Sequence, residues 1–151
     1  MHGEIDYLLQ GISDETRRKI LATAEEETHA PGEFLFHRGE ATRHFFILRE
    51  GRVRLSVGDT ELLAFVAGSP GDIIGWSSLV ENGTYTASAE CLVRVKVLKI
   101  EKRQMDEILN QDPASGMSFF KHLAALVGRR LVKSYRATLS VHGERGPEPG
   151  G

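Results

Sequence analysis

Short apolar runs broken by turn residues set the strongest limit on what this chain can fold into. Phe34-Leu35-Phe36 ends at Gly39, Phe45-Phe46-Ile47-Leu48 at Gly51, and Val53-x-Leu55-x-Val57 at Gly58-Asp59. Leu62 to Val66, Ile73-Ile74, Tyr85 to Ala89 and Val93-x-Val95-x-Val97 continue the series. Each run has the length and residue types of a strand, and most are bounded by residues that turn the backbone. Strands this short with turns this frequent predict an antiparallel roll or barrel rather than a parallel sheet.

Helical signals flank that region. Ser13 is placed to cap a helix with Asp14 and Glu15 in its first turn, where negative charge suits the N-terminal partial charge. Ile20, Leu21 and Ala24 give this helix its apolar face, and Pro31-Gly32 marks the change to strands. Met105, Ile108 and Leu109 mark a short amphipathic helix, and Asp112-Pro113 announces another, since Asp caps well and Pro fits the first helical position. That pattern runs to Leu139, about 27 residues and roughly 40 Å. From Gly143 the Gly/Pro/Glu sequence cannot form a core and predicts a disordered tail. The predicted boundaries are 6–112 for the strand-rich domain, 113–140 for the long helix and 141–151 for the tail.

At 151 residues, with 40% hydrophobic and 26% charged, the chain suits one small globular domain. A net charge of −2 gives no electrostatic reason to expect nucleic acid or an anionic membrane. The start lacks the basic and apolar regions of a signal peptide, and no apolar run approaches the ~20 residues that span a bilayer. Cys91 is the single cysteine, which rules out an intrachain disulfide and points to a reducing cytoplasm.

Gly71-Asp72-Ile73-Ile74-Gly75-Trp76-Ser77-Ser78-Leu79, followed by Tyr85-Thr86-Ala87, resembles the ligand cradle of the cyclic nucleotide-binding domain family. Pro31-Gly32-Glu33-x-x-Phe36-x-x-Gly39-Glu40 and Phe45-Phe46-Ile47-Leu48-x-x-Gly51-x-Val53 extend the resemblance, which covers Asp6 to Leu139. It implies a mainly β fold with flanking helices: an eight-stranded, jelly-roll-like antiparallel β-roll followed by a long C-terminal helix that often pairs two subunits. It also implies cyclic AMP or cyclic GMP as ligand, held in a pocket built here by Gly75, Trp76, Ser77, Ser78, Leu79, Tyr85, Thr86 and Ala87. Two positions depart from the family pattern. Trp76 stands where a Glu accepts the ribose hydroxyl, and Tyr85 where an Arg meets the phosphate.

Burying a phosphate without its counter-charge costs several kcal/mol, and a tyrosine hydroxyl does not replace a guanidinium. Ser77 and Ser78, at the start of the short helix, would leave free backbone N–H groups for an anion. Arg52 or Arg54 are candidates to enter from elsewhere, and Asp72 would oppose an anion if it faced inward. Trp76 either stacks on a ligand or plugs the pocket. The cations of the last helix, Lys121, Arg129, Arg130, Lys133 and Arg136, are accounted for by its dipole.

An enzyme reading finds little support. Pro31-Gly32-x4-His37 is similar to the start of a cupin metal motif, but Gly39 occupies the second ligand position and His44 lies across a turn. Cys91 and the histidines spell no heme ligand pair. Ser77, Ser78 and Thr86 have no neighbouring base in sequence, so no catalytic or metal residues are assigned.

The sequence therefore predicts a non-enzymatic regulatory or sensor domain with altered or absent nucleotide binding. Alternatives are a genuine cyclic-nucleotide sensor with non-standard phosphate contacts, and a ligand-free interaction module plugged by Trp76. Phe120, Leu123, Ala124, Val127 and Leu131 recur at helical spacing and predict a homodimer interface, while Phe119 and Leu126 face the roll. Family members that bind DNA carry a helix-turn-helix after the long helix. The tail found here instead predicts output through a downstream protein, without DNA or membrane.

Overall fold

The computed structural model describes residues 7–57, 65–80 and 83–145, with side chains as far as residue 132. Helix α1, Asp14–Thr23, begins as expected, with the Ser13 hydroxyl accepting the Thr16 N–H at 3.2 Å. Ile20 is buried, whereas Leu21 is 40% exposed and leaves the apolar face predicted for it.

Among the described residues eight strands follow: β1 Glu25–His29, β2 Phe34–Phe36, β3 His44–Glu50, β4 Val53–Ser56, β5 Phe65–Ala67, β6 Ile73–Ile74, β7 Ser88–Cys91 and β8 Val95–Glu101. They form two four-stranded antiparallel sheets, ordered β1-β8-β3-β6 and β2-β7-β4-β5. This is the mainly β roll with flanking helices that the sequence predicts.

Alternation along the strands divides the core in two. Phe46, Leu48, Ile74, Val95 and Val97 point into the roll, where they meet Phe36, Val53, Ala67, Ala89 and Cys91 of the other sheet. Phe45, Ile47, Ile73, Leu98 and Ile100 point the other way, onto Leu8, Leu9, Ile12 and the helices. The centre of the sheet that carries β3 is thus covered on both faces, which is why Phe45 to Leu48 of β3 and Ile73-Ile74 of β6 read as unbroken apolar runs. Gly51 makes the β3–β4 turn at φ +107°, and a Cβ there would lie 2.6 Å from the Arg94 carbonyl oxygen. No side chain fits that turn.

Several expected boundaries move. β1 was unforeseen, because Glu-Glu-Glu-Thr-His has no apolar alternation. It is held by backbone pairing to β8 and carries the charge that keeps an edge strand from recruiting another chain. Residues 62–64 of the Leu62–Val66 run lie outside the described residues, as does the Gly58-Asp59 turn. Tyr85 and Val93 precede β7 and β8 rather than belonging to them.

Helix α2 spans Ser77–Val80, α3 Lys102–Gln111 and α4 Pro113–Arg145. α3 buries Met105, Ile108 and Leu109. α4 has 33 residues and is about 50 Å long, so it passes both Leu139 and the predicted start of the tail at residue 141. Gly143 costs a helix only about 1 kcal/mol, and no proline stops it before Pro147. Residues 146–151 of the predicted tail lie outside the described residues.

A single carboxylate organises the start of α4. Asp112 accepts from the hydroxyls of Ser115 at 2.6 Å, Thr16 at 2.7 Å and Ser13 at 2.9 Å. These bonds, Ser115 first, hold its carboxyl well below the usual range and tie α1 to α4. Farther along, Phe119 and Leu123 are buried in their own domain. Leu123, predicted at a dimer interface, is 3% exposed because the helix turns it into the core beside Phe119. Phe120 and Val127 rest partly on the same core, while Ala124 is exposed and Leu131 is 59% exposed.

Candidate functional site

The turn after β6 and the segment before β7 come together as the sequence suggests. Gly75, at φ +79°, passes so close to its neighbours that a Cβ would lie 3.2 Å from Phe36 Cε2 and 3.3 Å from the His44 carbonyl oxygen. Gly75, Trp76, Ser77, Tyr85, Thr86 and Ala87 line one small cavity, walled further by Phe36 and Leu55. Its volume is about 60 Å³, against roughly 300 Å³ for the smallest ordinary ligand pockets. Ser78 and Leu79, also predicted as pocket residues, face away from it. Leu79 joins the helical core, and Ser78 is fully buried with its hydroxyl unpartnered among the described residues.

The backbone of α2 offers less to an anion than expected. Ser78 N–H donates to Gly75 O at 3.1 Å and Leu79 N–H to Trp76 O at 2.9 Å, so these two groups are already engaged.

Tyr85 is committed to the scaffold. It is 5% exposed, and its ring stacks on Phe36 with centroids 3.8 Å apart and planes 12° from parallel. Its hydroxyl donates to the His44 carbonyl at 2.6 Å and accepts the His44 N–H at 3.1 Å. Its own backbone bonds to Glu40 O at 2.9 Å and to Gly39 N at 3.0 Å. Tyr85 is therefore a strut that joins β2, β3 and the cradle. Trp76 lies partly buried, lining the cavity while packing on the core that receives α4's Phe120, Leu126 and Val127.

The charged candidates separate cleanly. Arg54 pairs with Glu90 at 2.8 Å, and Arg52 lies against Gly68; neither lines the cavity. Asp72 turns its carboxylate to its own loop, accepting the N–H groups of Gly68 at 3.1 Å and Ser69 at 3.0 Å. The cation in the cavity wall is Arg130, sent down from α4. Its Nη2 donates to the Ile73 carbonyl at 2.8 Å, and its guanidinium lies 4.4 Å from the Phe65 ring centroid. Burial pulls its pKa below the ordinary arginine value, with Asp72 pushing the other way. No carboxylate lies within ion-pair distance of Arg130 among the described residues. Assigning Arg130 to the helix dipole was therefore incomplete; it sits well before the helix end, and only the tertiary fold reveals what it meets.

A much larger groove, about 930 Å³, lies on the other side of Arg130. It runs between α4 and the β5–β6 segment, past Phe65, Val66, Ile73, Leu126 and Val132.

His29 and His37 belong to surface networks. His29 bonds Glu27 at 3.0 Å and Glu33 at 2.9 Å, and His37 stacks on Phe34 at 4.3 Å. Burial, then Lys99, holds His44 below the usual histidine range. His122 meets the Tyr7 ring edge-on at 4.9 Å. No three His, Cys, Asp or Glu side chains converge as a metal site among the described residues. Cys91 is buried in the roll, and that burial pushes its thiol up to about 11.

Residues 26–112 match the family model of the cyclic nucleotide-binding domain. The chain is 26% identical over 110 residues to the cAMP-dependent protein kinase regulatory subunit of Hypocrea atroviridis, covering 73% of this chain and 23% of that protein. It is 25% identical over 127 residues to the Cyclic AMP receptor protein of Thermus thermophilus, covering 82% of this chain and 56% of that one. The chain thus spans little more than half, or less, of these relatives. A solved cyclic nucleotide-binding domain from Methylobacillus flagellatus superposes with a TM-score of 0.77 over 91% of this chain and 82% of its own. At 18% identity that is a likeness of fold.

Proposed function

Because the chain belongs to the cyclic nucleotide-binding domain family, we propose that it is a non-enzymatic regulatory module whose cradle is closed to the ordinary ligand in this conformation. The observation that carries this reading is the 60 Å³ cavity, with Tyr85 spent on the scaffold where a phosphate would need a cation. We read Trp76, which lines this space and packs on the core that receives α4, as the plug of the pocket.

Output then passes through a downstream protein. The buried thiol and the absence of any helix long and apolar enough to cross a membrane among the described residues fit a cytoplasmic location. We extend the proposal to a homodimer through the outer face of α4, with Ala124 and Leu131 as its exposed members. Leu131→Glu should convert the dimer to a monomer in sedimentation, because the interface would bury a charge. A wild-type monomer at micromolar concentration overturns the dimer.

Isothermal calorimetry with cyclic AMP and cyclic GMP tests the closed cradle. The expected result is no binding at micromolar nucleotide; tight binding overturns it. One observation favours a second reading, that of a genuine cyclic-nucleotide sensor with a non-standard phosphate contact. Arg130 brings positive charge to the wall of the cradle.

A further inference from the structure

We propose that Arg130 is the counter-charge for a compact tetrahedral oxyanion, a phosphoryl-type group, in the cavity bounded by Trp76, Ser77 and Thr86. The proposal rests on the family reading of the cradle but not on its being closed to nucleotides.

A guanidinium carries five N–H donors in a planar fork suited to an oxyanion. In this structure one of its nitrogens holds a single carbonyl, that of Ile73 at 2.8 Å, and the carboxylate that favours its charge, Asp72, makes no ion pair with it. A largely desolvated cation satisfied by a neutral acceptor and an aromatic face has a stronger interaction still to make. An anion gives a charge-assisted bond in place of a neutral one.

The cavity supplies the complement. Ser77, Thr86 and Trp76, residue types that carry hydroxyl and indole N–H donors, line it, and the apolar Phe36 and Leu55 complete a wall that strengthens any ion pair inside. The nearest acid is already occupied, since Asp72 is turned to the Gly68 and Ser69 N–H groups. The volume of about 60 Å³ equals the liquid share of about two waters. It has no room for an attached nucleoside, and a five-heavy-atom oxyanion widens it on entry.

Recruiting Arg130 has a structural consequence. A guanidinium that swings to the anion leaves the Ile73 carbonyl and the face of Phe65, the two contacts by which this residue fixes α4 to the roll. Occupancy of the cradle and attachment of α4 therefore compete for one side chain.

Two sources share this chemistry: free inorganic phosphate, and the phosphate of a cyclic nucleotide that forces the cavity open. Trp76 is the single tryptophan and reports on the cavity directly. Its fluorescence is titrated with inorganic phosphate, and separately with cyclic AMP and cyclic GMP, at constant ionic strength. The proteins are wild type, Arg130→Gln and Arg129→Gln. Gln is uncharged and shorter than Arg, so circular dichroism and melting temperatures check that the fold is retained. Arg129 lies over the Tyr7 ring, away from the cradle, and controls for helix charge.

The expected result is a saturable response to phosphate, weakened about tenfold or more by Arg130→Gln and unchanged by Arg129→Gln. No saturable response to phosphate or to either nucleotide, or a response that Arg130→Gln leaves intact, overturns the proposal. Tight nucleotide binding that depends on Arg130 upholds this counter-charge while overturning the closed cradle. Tight nucleotide binding indifferent to Arg130 overturns both.

Discussion

Two hollows lie either side of Arg130 and differ in volume more than tenfold, about 60 Å³ in the cradle against about 930 Å³ under α4. The cradle is lined by large side chains, Phe36, Tyr85 and Trp76, with Phe36 stacked on Tyr85. The groove is empty because small residues face it: Gly68 and Ser69 from the roll, Ala125 and Gly128 from the helix. Large residues line the small hollow and several small ones line the large hollow.

Removing the strut should have the largest effect. Tyr85→Ala deletes a buried ring and leaves two His44 backbone groups without their partner. It should cost about 3–5 kcal/mol in urea unfolding while enlarging the cradle. A cost under about 1 kcal/mol would show that Tyr85 merely occupies space.

A matched pair of alanines tests the contrast next. Gly75→Ala must adopt positive φ and crowd Phe36 and the His44 carbonyl, so a loss of about 1–3 kcal/mol is expected. Gly128→Ala meets nothing within 4 Å and gains helix propensity, so it should stabilise by up to about 1 kcal/mol. Thermal melts of the two variants should move in opposite directions. Shifts in the same direction would remove the distinction between the two hollows.

The last expected difference is a slope with pH. Asp112's carboxyl is held below its unfolded value, near 4, by its hydroxyl partners. Its contribution is complete above that value and fades as pH falls through the folded value. Acid should therefore loosen the start of α4, and Asp112→Asn should flatten that part of the melting-temperature profile between pH 5 and 2. An unchanged profile would detach the Asp112 cluster from the helix's anchorage.

Much of the roll was legible because its turns leave chemical marks. Runs such as Phe45 to Leu48 stop at glycines that the backbone needs, and the Ser13 and Asp112-Pro113 helix starts are local signals. β1 was not legible, since charged residues become a strand there only through β8. The cradle was half legible. Its members are neighbours in sequence and meet in space, but the direction of Ser78 and Leu79 depends on core packing. Arg130 could not be read at all, because its meeting with Ile73 spans 57 positions and no periodicity encodes it. The α4 stripe failed at Leu123 for a related reason: apolar spacing marks a buried face without saying which body buries it.

Anchoring α4 through Asp112 gives the molecule a fulcrum. Arg130 lies about 27 Å along the axis from that point, and Phe119 about 10 Å. A tilt of about 5° would move Phe119 by less than about 1 Å, within what its packing tolerates. The same tilt would carry Arg130 roughly 2 Å, enough to make or break its bond to the roll. The strands need not move at all: leverage alone lets a quiet attachment at one end of the helix become a change of neighbours at the other.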